Sequence, residues 1–238
     1  LAQIRRLVGD KPFGVDLVLP DGMPEHNSRD AIEAHIPDGH REFVQGIVDK
    51  YEVPEPSGPG MRTRFIRSSE IEAEQLEAVM ASDVDLFACG IGAPRPAVDK
   101  AKEQGKITAA LIGSPRHVHR AVSSGVDIIV AQGAEAGAHT GTVGTFTLVP
   151  EIVDACGDIP VLAAGGVATG RHVAAALAMG AAGVWTGTIW LTTAEHTAHM
   201  QPALVDKLLR ATSADTVITR SESGKTFRQI RTAWSDEW

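Results

Sequence analysis

The chain has 238 residues, 43% of them hydrophobic but only 5% aromatic, and a net charge of −8 at pH 7. This fits one large domain or two small ones, filled by aliphatic side chains in α/β layers. The acidic balance, with no Lys/Arg run and no apolar run of ~18 residues, argues against nucleic acid or membrane as partners. Cys89 and Cys156 are too few for a disulfide framework, and no signal peptide opens the chain, so a reducing, cytoplasmic home is expected.

LAQIRRLVGD starts within a helix-like pattern and closes at Gly9, which points to residues ahead of Leu1. Phe13 to Leu19 is an expected strand, residues 20–37 an expected loop, and Asp38 an expected cap for a helix to Tyr51. After a Pro- and Gly-rich loop, Glu52 to Gly60, a second helix is expected from Ile71 to Met80, with Ser68 and Ser69 as caps. A regular alternation follows. Strands are expected at Val84 to Ala88, Ile107 to Ile112, Val126 to Ala131, Val161 to Ala164 and Gly183 to Thr186. The helices between them are expected at 95–104, 115–124 (capped by Ser114), 148–155 and 171–179 (capped by Thr169). Short apolar strands separated by helices indicate a parallel sheet of βα units. A short helix, Ala203 to Leu209, and a polar tail to Trp238 complete the expected elements.

Two stretches carry chemistry. AQGAEAGAHTGTVG, Ala131 to Gly144, leaves an apolar strand rich in glycine and holds one histidine, His139. Glycine lets backbone approach a ligand closely, and an imidazole there is a candidate proton-transfer group; a flexible loop with an incidental histidine is the competing reading. In PVLAAGGVATGRHVAAALAMGAAGVWTGT, Gly165-Gly166 and Gly187-Thr188 each follow a strand. Two such turns beside a helix N-terminus form a phosphate cradle, which in barrels follows strands 7 and 8. Other apparent motifs fail. Gly90-Ile91-Gly92 lacks a third glycine, Gly224-Lys225-Thr226 lacks the first glycine of a phosphate loop, and Glu195, His196 and His199 do not follow the zinc order. No metal is expected.

AQGAEAGAHTG, LVPEIVDA, PVLAAGGVATGR and GVWTGTIWLTT together resemble the nitronate monooxygenase (2-nitropropane dioxygenase) family of FMN-dependent (β/α)₈ TIM barrels. The resemblance implies a single FMN-binding domain over 1–238, with barrel strands 3 to 8 between 13 and 187 and a C-terminal extension from about 195. The first two βα units would then precede Leu1. It implies that Asp16, Gln132 and Gly137 contact the flavin, that Gly165, Gly166, Trp185, Thr186, Gly187 and Thr188 cradle its phosphate and ribityl chain, and that His139 is the base toward a nitroalkane. The implied reaction is oxidation of alkyl nitronates by O₂, on a small-molecule substrate, with a homodimer as the expected assembly. Alternatives are an NAD(P)H-dependent reductase or dehydrogenase of an acyl thioester or quinone, and a flavin-binding barrel without turnover. Two departures stand out: Asp16 occupies a position where the family usually has Asn, and Ala138 one where it usually has Gly. If position 138 needs positive φ, Ala there is strained by ~1 kcal/mol.

Overall fold

Six short strands lie parallel in one sheet, in the order β1 (Gly14–Val18), β2 (Leu86–Ile91), β3 (Ile107–Ile112), β4 (Ile128–Gln132), β6 (Val161–Ala164), β7 (Gly183–Trp185). The computed structural model describes residues 1–58, 67–198 and 200–238. The chain divides into two units, Leu1–Leu19 with Ser82–Trp238, and Pro20–Ala81. The expected Glu52–Gly60 loop ends outside the described residues, as does His199.

The larger unit opens with helix α1 (Ala2–Val8), which closes on Gly9 at φ 61 as its glycine predicts. The alternation of strand and helix holds, with shifted boundaries. β2 begins at Leu86, two residues later than its apolar run, and continues through Gly90 because it pairs with β1 up to Ile91. Helix α5 (Arg95–Glu103) follows β2, and α6 (Val118–Ser123) follows β3 after a 3₁₀ turn, Pro115–His117. Ser114 sits at the start of that turn, where its hydroxyl accepts from Arg116 Nε at 3.5 Å and not from a backbone N–H, so the expected cap is absent. Helix α7 runs Thr145–Cys156, three residues earlier than expected, because Gly144 ends the loop and Thr145 already takes helical geometry. Helix α8 (Gly170–Ala178) has the predicted Thr169 cap, in a reciprocal box with His172.

Strand register divides the sheet into two faces. Phe87, Cys89, Thr108, Ala110, Ile129, Ala131 and Ala163 alternate onto one face and are buried, under α5 and α7 among others. Burying side chains the size of Phe87 or Ile129 stabilises by roughly 1.5–3 kcal/mol each. Thr108, fully buried, is satisfied by Asp127, whose Oδ2 accepts from its N–H at 2.9 Å and its hydroxyl at 2.7 Å. Asp16, Ala88, Ala109, Val130, Gln132, Ala164 and Trp185 share the opposite face. There Trp185 and Leu162 are half-buried and Asp16 is exposed. A parallel β/α series in sequential strand order is the α/β barrel class.

The C-terminal segment corrects the expectation of a polar tail. After the short helix α9 (Ala194–Thr197) and α10 (Pro202–Arg210), it forms strands β8 (Thr216–Thr219) and β9 (Phe227–Ile230) and a last helix, α11 (Ala233–Glu237). β9 pairs antiparallel with both β8 and a two-residue strand, β5 (Ala138–His139).

The smaller unit holds α2 (Arg29–Glu33), α3 (Asp38–Lys50) and α4 (Ser69–Met80). α2 lies inside the stretch expected to be loop; Ser28 caps it by accepting from Ala31 N–H at 3.2 Å. Asp38 is the first residue of α3 and makes no cap bond, while Ser68 caps α4 as predicted. Asn27 and His26 tie the loop to the start of α4, through Arg67 O at 3.1 Å and Glu70 Oε2 at 3.0 Å.

Candidate functional site

The glycine stretch leaves β4 at Gln132 and folds back on itself. Gly133 donates to Ala164 O, Ala134 to Val143 O, and Ala136 to Gly133 O. A Cβ on Gly133 would stand 2.1 Å from Thr145 Oγ1, so only glycine lets the loop press against the start of α7. Glu135 locks that contact: its Oε2 accepts from both the N–H and the hydroxyl of Thr145, each at 2.8 Å. Partial burial opposes its ionisation, but these two bonds, aided by the charge of Arg228, hold its carboxyl below the ordinary range.

Gly165 and Gly166 sit directly beneath, at φ 103 and 73. A Cβ at Gly165 would meet Thr145 Oγ1 at 2.8 Å and Gly133 O at 3.0 Å, and one at Gly166 would meet Glu135 Cβ at 3.2 Å. The glycine pair is therefore required for packing against the histidine loop as well as for its turn. Across the strand ends, a Cβ on Gly137 would be 3.3 Å from Thr188 Oγ1, while Gly187 has open space around its Cα. Thr186 accepts from Trp190 Nε1 at 3.0 Å. Among the described residues the backbone N–H groups of Gly165, Gly166 and Gly187 make no hydrogen bond.

Ala138 has φ 68, a left-handed conformation that L side chains rarely adopt. This settles the conditional question posed by the sequence: the position requires positive φ, and alanine fills it under strain. His139 follows at once. Gln132 Nε2 donates to His139 O at 3.2 Å, and β9 pairs Ala138 with Arg228 and His139 with Phe227. The imidazole meets the Phe227 ring edge-on at 5.1 Å, and its Nε2 lies 2.5 Å from Ser223 Oγ. Arg228 fastens the ribbon down, donating to Ala134 O at 2.7 Å and to Thr216 Oγ1 at 2.8 Å. Glu135, Ser223, Phe227 and Arg228 were missed by the sequence reading. The signal for the last three was the β-branched run TVIT followed by FRQI, two strands joined by a Ser- and Gly-rich connection.

Gln132, Gly137, His139, Gly165 and Thr188 are thus brought together at the ends of β4, β6 and β7, with Trp185 in register beside Ala164. Asp16 shares their face three strands away, roughly 14 Å across the sheet at normal strand spacing, and lies level with Ile128, four residues short of Gln132. Its carboxyl accepts from Gly90 N–H, and a Cβ on Gly90 would come within 3.0 Å of both its oxygens. The side chain is open to solvent along the β1 edge, yet the surrounding strand ends strip part of its hydration, pushing its carboxyl up to about 6 against the Gly90 bond. Burial, with a contribution from the Asp16 charge, pushes the Cys89 thiol up to about 12, so Cys89 is an inert thiol. No group of three or more His, Cys, Asp or Glu placed to hold a metal occurs among the described residues, and none of their helices is long and apolar enough to cross a membrane.

A family model described as nitronate monooxygenase matches residues 1–238. The chain belongs to the nitronate monooxygenase family. A Mycobacterium tuberculosis protein named as a monooxygenase is 45% identical, the match covering 100% of this chain and 65% of the relative. A Staphylococcus aureus protein named as a nitronate monooxygenase is 36% identical over 68% of this chain and 48% of its own length. A Rhodococcus jostii protein named as an octahydro-indene-carboxyl-CoA dehydrogenase is 35% identical over 70% of this chain and 47% of its own. The chain thus spans between about half and two thirds of the length of these relatives. Among solved structures, the nitroalkane oxidase of Streptomyces ansochromogenes superposes with a TM-score of 0.76 at 26% identity, covering 99% of this chain and 67% of that one.

Proposed function

We propose that this protein is an FMN-dependent oxidoreductase that oxidises alkyl nitronates with O₂, with His139 as the base toward neutral nitroalkanes. The observation that carries the reading is the fixed imidazole: Gln132 and β9 hold the His139 backbone, and Ser223 and Phe227 meet its ring, at the strand ends where the glycine turns converge. The unpaired N–H groups of Gly165, Gly166 and Gly187 fit the phosphate of FMN, and Gln132 and Trp185 on the inner face fit its ring. When bound, the flavin supplies the electron chemistry toward substrate and O₂.

The residues of this chain do the rest. Glu135 and Arg228 hold the loop so that His139 keeps one orientation. For Nε2 to take the α-proton of a nitroalkane, the Ser223 side chain first swings aside, since its oxygen sits 2.5 Å from that nitrogen and the ring nitrogen has one in-plane lone pair to offer. Once Nε2 carries the proton, Ser223 Oγ accepts from it and stabilises the imidazolium. Preformed nitronate has already lost that proton and needs no base. His139→Ala is therefore expected to abolish turnover of neutral nitroalkanes while retaining oxidation of their anions; full nitroalkane turnover by the variant would reject the assignment.

A second reading is an NAD(P)H-linked dehydrogenase or reductase of an acyl thioester, favoured by the dehydrogenase name of the R. jostii relative. Anaerobic mixing separates the two. Flavin bleaching by a nitronate and not by NADH or NADPH supports the monooxygenase; the reverse result selects the second reading.

A further inference from the structure

Thr145, the first residue of α7, stands where the histidine loop and the first glycine turn meet. Its N–H and its hydroxyl both donate to Glu135 Oε2 at 2.8 Å, and its Oγ1 also lies 3.1 Å from Gly165 O. A hydroxyl carries one hydrogen, so the Glu135 carboxylate and the Gly165 carbonyl share it, the shorter and charge-assisted bond taking the larger part. The Gly165 carbonyl belongs to the same planar peptide unit as the Gly166 N–H, and in a trans peptide the two point in opposite directions. Holding Gly165 O toward Thr145 therefore aims the Gly166 N–H away from α7. That N–H is one of those without a hydrogen bond among the described residues. Glycines at φ 103 and 73 flank the peptide, and glycine leaves it free to rotate unless a neighbour fixes it.

We infer that Thr145 is a positioning residue whose hydroxyl sets both the aim of the Gly166 N–H and the seat of the His139 loop, coupling an anion held at the glycine turn to the placing of the base. On one side Thr145 fixes the peptide that presents the N–H. On the other it fixes Glu135, four residues ahead of His139 in the loop that Arg228 ties to β9 through Ala134 O at 2.7 Å. An anion accepting from the Gly166 N–H holds that peptide still, which holds Gly165 O and so the Thr145 side chain. The loop then loses motion that it would otherwise lose only on binding substrate, and no change of fold is needed. The role rests on reading the glycine turns as the cradle of the FMN phosphate, and adds the residue that joins cradle to base.

The test is FMN affinity by fluorescence titration, with amide hydrogen exchange of the full protein with and without FMN, on wild type, Thr145→Ser, Thr145→Val and Glu135→Gln. FMN is expected to slow exchange of the 134–144 amides in wild type and in Thr145→Ser, which keeps the hydroxyl. Thr145→Val has the same shape without the hydroxyl, and is expected to bind FMN about tenfold more weakly and, when saturated, to show no slowing in the loop. Glu135→Gln removes a carboxylate but leaves the Thr145 hydroxyl to Gly165 O, so it is expected to bind FMN no more weakly than wild type while losing most of the slowing. This variant decides the matter if Thr145→Val does not fold. Wild type that binds no FMN would reject the cradle reading and the coupling with it. If wild type binds FMN, equal affinity or equal loop slowing in Thr145→Val, or equal slowing in Glu135→Gln, overturns the coupling and leaves the cradle reading in place.

Discussion

Ala138→Gly is expected to stabilise the protein, the reverse of what this substitution does at most positions. The φ of 68 places a Cβ where it crowds the following carbonyl, costing an L residue about 1–2 kcal/mol. Glycine removes that cost but adds freedom to the unfolded chain, which opposes folding by about 0.4–1 kcal/mol. The balance is a gain of roughly 0.5–1 kcal/mol, or about 1–4 °C in Tm for a chain of this length. The backbone pairing with Arg228 and the Gln132 side-chain bond to His139 O keep the conformation in place, so relaxation of alanine to negative φ would break the β5–β9 contact. Thermal unfolding of the two proteins side by side checks this. A lower Tm for Ala138→Gly would refute the reasoning, since it is the result expected of an alanine in ordinary β or helical geometry.

Three further outcomes are expected. Gly133→Ala places a methyl 2.1 Å from Thr145 Oγ1, next to α7 backbone, and should destabilise by about 3 kcal/mol or more, read as a Tm loss of roughly 6 °C or more. Ser223→Ala should slow proton abstraction from neutral nitroalkanes about tenfold or more, by removing a hydrogen bond to a charged ring, and leave nitronate oxidation unchanged; equal loss on both substrates would contradict the role given to Ser223. The Asp16 carboxyl, raised to about 6 from 3.8, binds its proton more tightly folded than unfolded, so its contribution lowers stability as pH rises from about 4 to 6. Asp16→Asn should accordingly raise Tm at pH 7.5 and make little difference at pH 4, and a pH-independent shift would show that ionisation is not the cause.

The barrel strands were legible in the sequence because each is a short apolar run bounded by glycine or a helix cap, and both faces of a parallel sheet are covered. Boundaries moved where pairing, not composition, decides them: β2 extends through Gly90 and Ile91 only because β1 lies alongside. His139 and the glycine turns were legible as local motifs. What fixes His139 was not, since Ser223 is 84 residues distant and Phe227 and Arg228 farther still. Local periodicity carries no information about which distant strand a two-residue segment will pair with. Glu135 was visible but silent, because its partner Thr145 becomes adjacent only when Gly133 turns the loop back.

The pairing of β5 with β9 also orders events in time. Ribosomal synthesis delivers Gln132 and His139 long before Ser223, Phe227 and Arg228, so the βα units fold around an imidazole that nothing yet restrains. A contact of such sequence separation forms late and opens early, because closing the long intervening loop is entropically costly. His139 thus takes its fixed position only when the whole chain through Ile230 is in place, and a partly made or C-terminally clipped protein would hold its glycine turns with the imidazole unanchored.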